Sequence, residues 1–220
     1  MAKVTALKVQ ARNKSRVNVS LDGEFTFGLV KIEAARLRLG QELSEADVAR
    51  LKATDTAEMV YDKALTLLNS RPRSEAEIRQ RLLRKGIAKE QIAAALERLR
   101  RAGLVDDAGF ARYWVENRAT FRPKGKRALR AEMRAKGLPA KEIDRALADA
   151  DDAAAAAKLA AARAPRLKGL PLPEFKRKLG SYLARRGIDY ETISEAVERA
   201  WRELDTGGGV EQNSEMESED

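Results

Sequence analysis

The chain has 220 residues, of which 43 are Lys or Arg and 34 are Asp or Glu, so its formal net charge is +9. It contains no cysteine and no histidine, which excludes disulfides, thiol nucleophiles, Cys- or His-ligated metal sites and the Ser-His-Asp triad. Because it also lacks a phosphate-binding glycine loop, a signal peptide and a bilayer-length apolar segment, we expect a cytoplasmic binding protein without cofactor or metal, not an enzyme.

The charge is unevenly distributed along the chain. Residues 205–220 hold six acidic residues and no basic one, which leaves +15 on residues 1–204. The densest basic stretch, 118–136, has eight Lys or Arg residues and one acid, Glu132. Such a charge favours a polyanion or an acidic protein surface as partner, although a solvated helix face has a similar composition. We interpret residues 205–220 as a disordered acidic tail.

The first segment, residues 1–54, is predicted to form a small β-ribbon followed by short helices. Strand patterns occupy about 4–10, 16–21 and 24–28, and Asp22-Gly23 between two alternating runs is a strong hairpin signal. Two short helices are expected at about 30–38 and 44–53, the second with Ser44 as its N-cap and Asp47 at position N3.

From residue 55 onward the pattern is helical and occurs three times. Gly86, Gly137 and Gly187 are 51 and 50 residues apart, and each follows Lys or Arg and precedes Ile or Leu. We expect each glycine to end a helix in a left-handed conformation. In the first copy, Ser74 and Glu77 match a capping box. With upstream helices at about 55–69, 107–118 and 152–164, the sequence predicts three-helix repeats at 55–104, 105–151 and 152–204.

Three motifs allow a second interpretation. The helix–turn–helix pairs could read DNA, but Glu90 and Glu191 near the start of the second helix would repel phosphate, so ordinary helix packing is favoured. Asp106-Asp107 could indicate a metal or acid–base site, but capping of the next helix explains the pair better. The basic loop 121–127 leads into a helix N-terminus, and it is either a phosphate or carboxylate site or a flexible connector.

With these repeats, the chain resembles the RecX family of recombinase regulators over about residues 55–204. The resemblance is strongest in two stretches and one turn, which read Arg73-Ser74-Glu75-Ala76-Glu77-Ile78 with Leu82 and Lys85-Gly86-Ile87, Gly103-Leu104-Val105-Asp106-Asp107 with Phe110-Ala111 and Arg118, and Lys136-Gly137-Leu138. Residues 1–54 also look like the extension of some family members. The Ala-rich residues 153–157, the prolines between 165 and 173 and the acidic tail depart from the pattern.

The resemblance implies a mostly α fold, with three tandem three-helix repeats in an elongated, curved array, and a monomer without catalytic activity. It implies binding to the RecA recombinase as its filament on single-stranded DNA, with inhibition of filament growth, ATP hydrolysis and strand exchange. Such a protein modulates recombination, DNA repair and the SOS response. Double-stranded DNA is a second candidate partner, and no membrane is expected. The alternative function is a sequence-specific DNA-binding regulator that uses the helix–turn–helix pairs.

Basic residues are the expected contacts to RecA and DNA. The second repeat and the loop before it supply the main set, which is Arg118, Arg122, Lys124, Lys126, Arg127, Arg130 and Arg134. The first repeat supplies a second set, which is Arg71, Arg73, Arg84 and Lys85. No catalytic or metal-binding residue is predicted.

Overall fold

The computed structural model describes residues 1–206, so the predicted acidic tail lies, from residue 207 onward, outside the described residues. The chain divides into two compact units, the first covering Met1–Asp106 and the second beginning at Asp107. The predicted boundaries between the repeats stay predictions.

The first unit begins with a four-stranded antiparallel sheet in the order β3-β2-β1-β4. Its strands are β1 (Ala2–Val9), β2 (Arg16–Leu21), β3 (Glu24–Val30) and β4 (Glu42–Leu43). The predicted hairpin between β2 and β3 is confirmed, because Asp22 and Gly23 have φ angles of 51° and 93°, the left-handed values that a tight hairpin turn needs. Strand β4 was not predicted, since two residues are too few to show an alternating pattern.

The helices predicted for residues 30–53 need correction. Helix α1 (Lys31–Ala34) is one turn long instead of reaching residue 38. Helix α2 (Glu45–Ser70) is continuous and joins the two helices predicted at 44–53 and 55–69. Its predicted start is confirmed by the capping box between Ser44 and Asp47.

The break that the sequence suggested within α2 falls next to Asp55. In the structure, a tertiary contact of Asp55 holds the helix together at this point. Asp55 is buried and accepts hydrogen bonds from Arg16 Nη2 (2.7 Å) on β2 and from the backbone N–H of Val30 (2.8 Å) at the end of β3. Asp is a poor helix former, but here its carboxylate satisfies a buried amide and a guanidinium. The contact ties α2 to the sheet.

The end of α2 packs with α3 (Glu75–Leu83) and α4 (Lys89–Arg101) around a core that includes Val60, Ile78 and Leu96. The capping box predicted at Ser74 and Glu77 begins α3. The second unit contains α5 (Asp107–Phe121), α6 (Lys126–Ala135), α7 (Ala140–Leu147), α8 (Asp152–Arg163), a 3₁₀ turn (Ala164–Leu167), α9 (Leu172–Arg185) and α10 (Tyr190–Thr206). Its two cores are centred on Met133 and on Phe175.

The glycine turns are as predicted. Gly86, Gly137 and Gly187 have φ angles of 74°, 73° and 84°, so all three are left-handed. The next residue of each turn donates its backbone N–H to a carbonyl five residues back, as from Ile87 to Leu82 (3.3 Å) and from Ile188 to Leu183 (3.3 Å). These bonds satisfy carbonyls that the helix end leaves without a partner.

Candidate nucleic-acid interface

Glu132 is the internal counter-ion of the second repeat. Its carboxylate accepts hydrogen bonds from Trp114 Nε1 (2.8 Å) and Arg118 Nε (2.8 Å), and it forms an ion pair with Lys124. The Arg118 guanidinium also lies 4.2 Å from the centre of the Trp114 ring. Arg118 and Lys124, two of the predicted contact residues, are therefore engaged inside the repeat, with 18% and 27% of their side chains exposed.

The environment of Glu132 keeps it ionised. Burial alone would raise the pKa of its carboxyl group, but the hydrogen bonds from Lys124, Arg118 and Trp114 outweigh burial and hold the pKa below its usual value. A charged Glu132 in turn holds α6 to α5, because its partners come from α5 and from the loop between the two helices.

Apart from Glu132, every charged residue of α6 is basic. Arg130 follows Lys126 by four residues and Arg127 by three, and Arg134 follows Arg130 by four, so the four residues lie close together on successive turns of the helix. We call these four residues the α6 cation row. Arg130 forms an ion pair with Asp144, which is itself largely exposed. Within residues 1–206, no carboxylate forms an ion pair with Arg134 or with the adjoining Arg122, and both are exposed.

The N-terminus of α6 is already occupied by a carboxylate of the protein. Asp152 Oδ1, at the start of α8, accepts the backbone N–H of Lys126 (2.7 Å), and the carbonyl of Arg186 accepts the N–H of Gly125 (2.9 Å). These bonds fix the end of loop 121–127 to α8 and to the turn after α9, and binding of an external phosphate or carboxylate by the loop stays a prediction. Burial raises the pKa of the Asp152 carboxyl group. The hydrogen bond from the Lys126 amide acts in the opposite direction, and the nearby charge of Asp189 raises the pKa further.

The second and third repeats meet at this point with almost no free space. A Cβ atom on Gly125 would lie 2.3 Å from the carbonyl oxygen of Gly187, and one on Gly187 would lie 2.5 Å from the Cβ of Ala128. Arg127 adds a hydrogen bond from Nη2 to the carbonyl of Ala184 (2.8 Å) at the end of α9. The close approach explains why both positions are glycine and fixes the start of α6 against the end of α9.

The four predicted contact residues of the first repeat are in two different environments. Arg73 is buried, and its guanidinium donates to the carbonyl of Leu67 (2.7 Å) and to Ser70 Oγ (2.9 Å), so it has an internal role that the sequence prediction did not anticipate. Arg71 forms a two-pronged ion pair with Glu77. Arg84 and Lys85 are exposed at the end of α3.

Sequence analysis missed three roles: Glu132 holds the side chains of Arg118 and Lys124, Trp114 donates to the same carboxylate, and Asp152 accepts the backbone N–H of Lys126. One signal was available for Glu132, because it is the single acid in a strongly basic stretch and lies three residues after Leu129 on the same helix side. Among residues 1–206, acidic side chains do not gather in a group of three or more that could hold a metal ion. No helix in the described part of the chain is both long and apolar enough to cross a membrane.

Family models match most of the chain. The RecX N-terminal domain matches residues 2–44, and the first, second and third RecX three-helix domains match residues 61–99, 106–147 and 150–197. These matches bear out the predicted fold class, a mostly helical protein with three three-helix repeats after a small N-terminal sheet.

Individual proteins agree with the family models. Regulatory protein RecX of Bacillus licheniformis is 32% identical over 94% of this chain and 81% of its own length, and that of Levilactobacillus brevis is 34% identical over 90% and 76%. A crystal structure of regulatory protein RecX is similar with a TM-score of 0.72 and 27% identity, covering 90% of this chain and all of the other. The chain belongs to the RecX family of regulatory proteins.

Proposed function

We propose that this protein is a non-enzymatic regulator that binds RecA and its filament on single-stranded DNA and inhibits filament growth, ATP hydrolysis and strand exchange. Through that inhibition it modulates recombination, DNA repair and the SOS response. It acts as a monomer in the cytoplasm and needs neither a cofactor nor a metal. The α6 cation row, with Arg122 beside it, is the polyanion-facing part of the second repeat.

The observation that carries this proposal is the separation of charges in the second repeat. Glu132 neutralises Arg118 and Lys124 inside the repeat, and the other charged residues of α6, Lys126, Arg127, Arg130 and Arg134, are all basic, with only Arg130 paired to a carboxylate, Asp144 of α7, among the described residues. A row of cations attracts phosphates at long range and releases counterions when they bind. The row therefore suits a phosphate backbone or an acidic protein surface.

Inhibition of this kind needs no reacting group. A body that occupies the filament surface prevents addition of the next subunit, and charge pairing supplies the affinity. Family membership supports the regulatory role, and RecA as the target follows from the resemblance of the repeats to the RecX pattern. Arg84 and Lys85, exposed after α3, are the contacts that we propose for the first repeat.

The direct test measures RecA ATP hydrolysis on single-stranded DNA while the protein is added. We expect sub-stoichiometric protein to lower the rate, because blocking one growing end affects many subunits. An unchanged rate at equimolar protein would refute the proposed function.

A charge-reversal variant tests the surface. Replacing Lys126 and Arg134 by Glu should weaken single-stranded DNA binding at least tenfold and lower the magnitude of the salt slope of log K by about 1.4, roughly 0.7 for each lost phosphate contact on a single strand. The matched control reverses Lys8 and Lys14, two exposed lysines of the N-terminal unit, with the same change in net charge. Equal losses in both variants would show that only net charge matters and would remove α6 from the site.

The same titrations separate this proposal from a sequence-specific DNA-binding regulator. A regulator of that kind binds one duplex sequence at least about 10³ times more tightly than random DNA. We expect instead a salt-dependent affinity that is nearly independent of sequence. A large ratio for one duplex would favour the alternative.

A further inference from the structure

A groove opens between α9 and α10 in the third repeat. One wall is α9, with Gly180, Ser181 and Ala184, and the other is α10, with Tyr190 and Ile193. Its volume is about 380 Å³, and protein sites for small molecules measure roughly 300–1,000 Å³. Tyr190, the first residue of α10, is 84% exposed at one end of the groove.

Around this groove, the third repeat differs from the second at three equivalent positions. Counted from the turn glycines Gly137 and Gly187, the positions of Arg130 and Arg134 on α6 are those of Gly180 and Ala184 on α9. Ile193, which lines the groove beside these two small residues, is only partly buried, whereas its equivalent in the second repeat, Ile143, is 1% exposed.

The third difference places an aromatic ring at the mouth of the groove. Tyr190 follows Gly187 by three residues, and the equivalent residue of the second repeat is Ala140. The helix face that carries cations in the second repeat thus carries a groove with a tyrosine beside it in the third.

The groove adjoins the α6 cation row. Arg127, a member of that row, donates from Nη2 to the carbonyl of Ala184 (2.8 Å), and Ala184 lines the groove. One hydrogen bond occupies a fraction of the five N–H donors of a guanidinium, so Arg127 retains donors for an anion at the same place. A phosphate bound by the row therefore lies next to the groove.

The charges of the two walls indicate what kind of molecule the groove can bind. Lys176 on α9 pairs with Glu198 on α10 at 3.5 Å, and Arg177 lies within 3.8 Å of Glu174, so the walls carry both signs and would not hold a bare phosphate. A neutral, flat molecule with polar edges fits such a groove better. The adjoining cations favour a molecule that is attached to phosphate. The exposed ring of Tyr190 is available for stacking with it.

We propose that the groove between α9 and α10 binds an unpaired base of single-stranded DNA, which stacks on Tyr190 while the adjacent phosphates contact the α6 cation row. The inference rests on the proposed function and adds a base-binding subsite to it. It also supplies a reason for preferring single strands, since the bases of a duplex are stacked on one another and cannot enter a groove.

The experiment compares three probes by fluorescence anisotropy at fixed salt: an oligo-dT strand, an abasic strand of the same length and charge, and a random duplex. The unaltered protein should bind oligo-dT about tenfold more tightly than the abasic strand, the ratio expected for one stacked base. Tyr190→Ala should lose that ratio and leave the abasic affinity and the salt slope unchanged, because stacking involves no counterion.

Two control variants make the result specific. Tyr190→Phe keeps the ring and should keep the ratio, and Phe25→Ala removes another exposed aromatic residue, on β3, without effect on it. A Tyr190→Ala protein that retains the ratio would overturn the base-binding subsite, as would unaltered protein that binds both strands equally.

The result is independent of the main proposal. If the groove does not bind a base, inhibition of RecA ATP hydrolysis should still occur through the α6 cation row. If instead the protein leaves RecA unaffected but binds oligo-dT through Tyr190, the proposed function fails and the subsite stands.

Discussion

The second and third repeats present the same helix face with different chemistry. On α6 this face carries Lys126, Arg127, Arg130 and Arg134, and on α9 the equivalent positions are Lys176, Arg177, Gly180 and Ala184. The first pair of positions is basic in both repeats, whereas the second pair changes from arginine to small residues. Both repeats have a left-handed turn glycine and buried apolar residues at positions −8 and −4 from it, so these shared features do not require the difference.

Burial distinguishes the positions that keep their residue type in all three repeats from the positions that change. Positions −8 and −4 from the turn glycine, such as Leu129 and Met133, are buried and keep their apolar type in each copy. Positions −7 and −3 face outward, and they are free to change without loss of packing. We interpret the outward positions as the ones that set what each repeat binds.

The largest expected effect comes from breaking the junction of the two repeats. Gly187→Ala places a Cβ atom 2.5 Å from Ala128 and also strains a left-handed residue, so we expect a loss of about 3–5 kcal/mol in the free energy of unfolding. Urea denaturation followed by circular dichroism measures it.

Gly86→Ala is the matched control for that prediction. Gly86 has the same role and a φ angle of 74°, but its added Cβ would meet nothing within 4 Å. We expect a loss of only about 1–2 kcal/mol, the cost of a left-handed non-glycine residue. Equal losses in the two variants would show that the close approach of Gly187 to α6 contributes nothing to stability.

The next effect concerns the internal counter-ion of the second repeat. Glu132→Gln keeps the shape of the side chain but leaves Arg118 and Lys124 without their negative partner, and we expect a loss of about 2 kcal/mol. Asp144→Asn is the control, because Asp144 pairs with Arg130 at the surface and should change stability by less than about 0.5 kcal/mol. A loss for Asp144→Asn as large as that for Glu132→Gln would contradict the internal role of Glu132.

The same residue gives a pH dependence with a definite sign. The folded state lowers the pKa of Glu132, so its stabilisation is complete above the unfolded value of about 4.3 and is lost as the pH falls through the lower folded value. The stability difference between unaltered protein and Glu132→Gln should be constant from about pH 6 to 8 and shrink below about pH 4. If the difference in stability grew toward acid pH, burial would have a larger effect on the pKa of Glu132 than the hydrogen bonds have.

The smallest effect comes from making the third repeat resemble the second. In Gly180→Arg the added Cβ would lie 3.6 Å from Ile193 Cγ2, an ordinary contact, so the chain should fold and gain about 0.5–1 kcal/mol from losing a mid-helix glycine. The long side chain covers the groove, so we expect the preference for oligo-dT over the abasic strand to fall while the abasic affinity rises a few-fold. If Gly180→Arg kept the same preference for oligo-dT over the abasic strand, the face of α9 would not take part in base binding.

Features that depend on a few neighbouring residues were predictable from the sequence. The hairpin at Asp22-Gly23, the capping boxes at Ser44 and Ser74 and the left-handed turn glycines follow from backbone preferences that act over a few residues. The continuity of α2 was not predictable, because Asp55 is held by a guanidinium and an amide more than twenty residues away along the chain.

The candidate site shows the same limit. The basic composition of residues 118–136 marked the region, but a count of charges does not tell which cations have an internal partner. Internal partners hold three of the predicted contact residues: a backbone carbonyl binds Arg73, and Glu132 binds Arg118 and Lys124. Only the three-dimensional contacts distinguish these residues from the exposed Arg122 and Arg134. The groove beside Tyr190 was missed because small residues such as Gly180 and Ala184, which line it, carry no functional group that a sequence motif would show.

Helix α2 has a consequence for how this chain can be rearranged. It begins at the sheet, at Ser44, and ends in the core of the first repeat, and Asp55 fastens its middle to β2 and β3. An insertion of one residue after Asp55 would turn every later side chain of the helix by about 100°. Such an insertion would break either the Asp55 contacts to the sheet or the packing of Val60 and Ala64 in the first repeat, so the two parts of α2 must keep a fixed register.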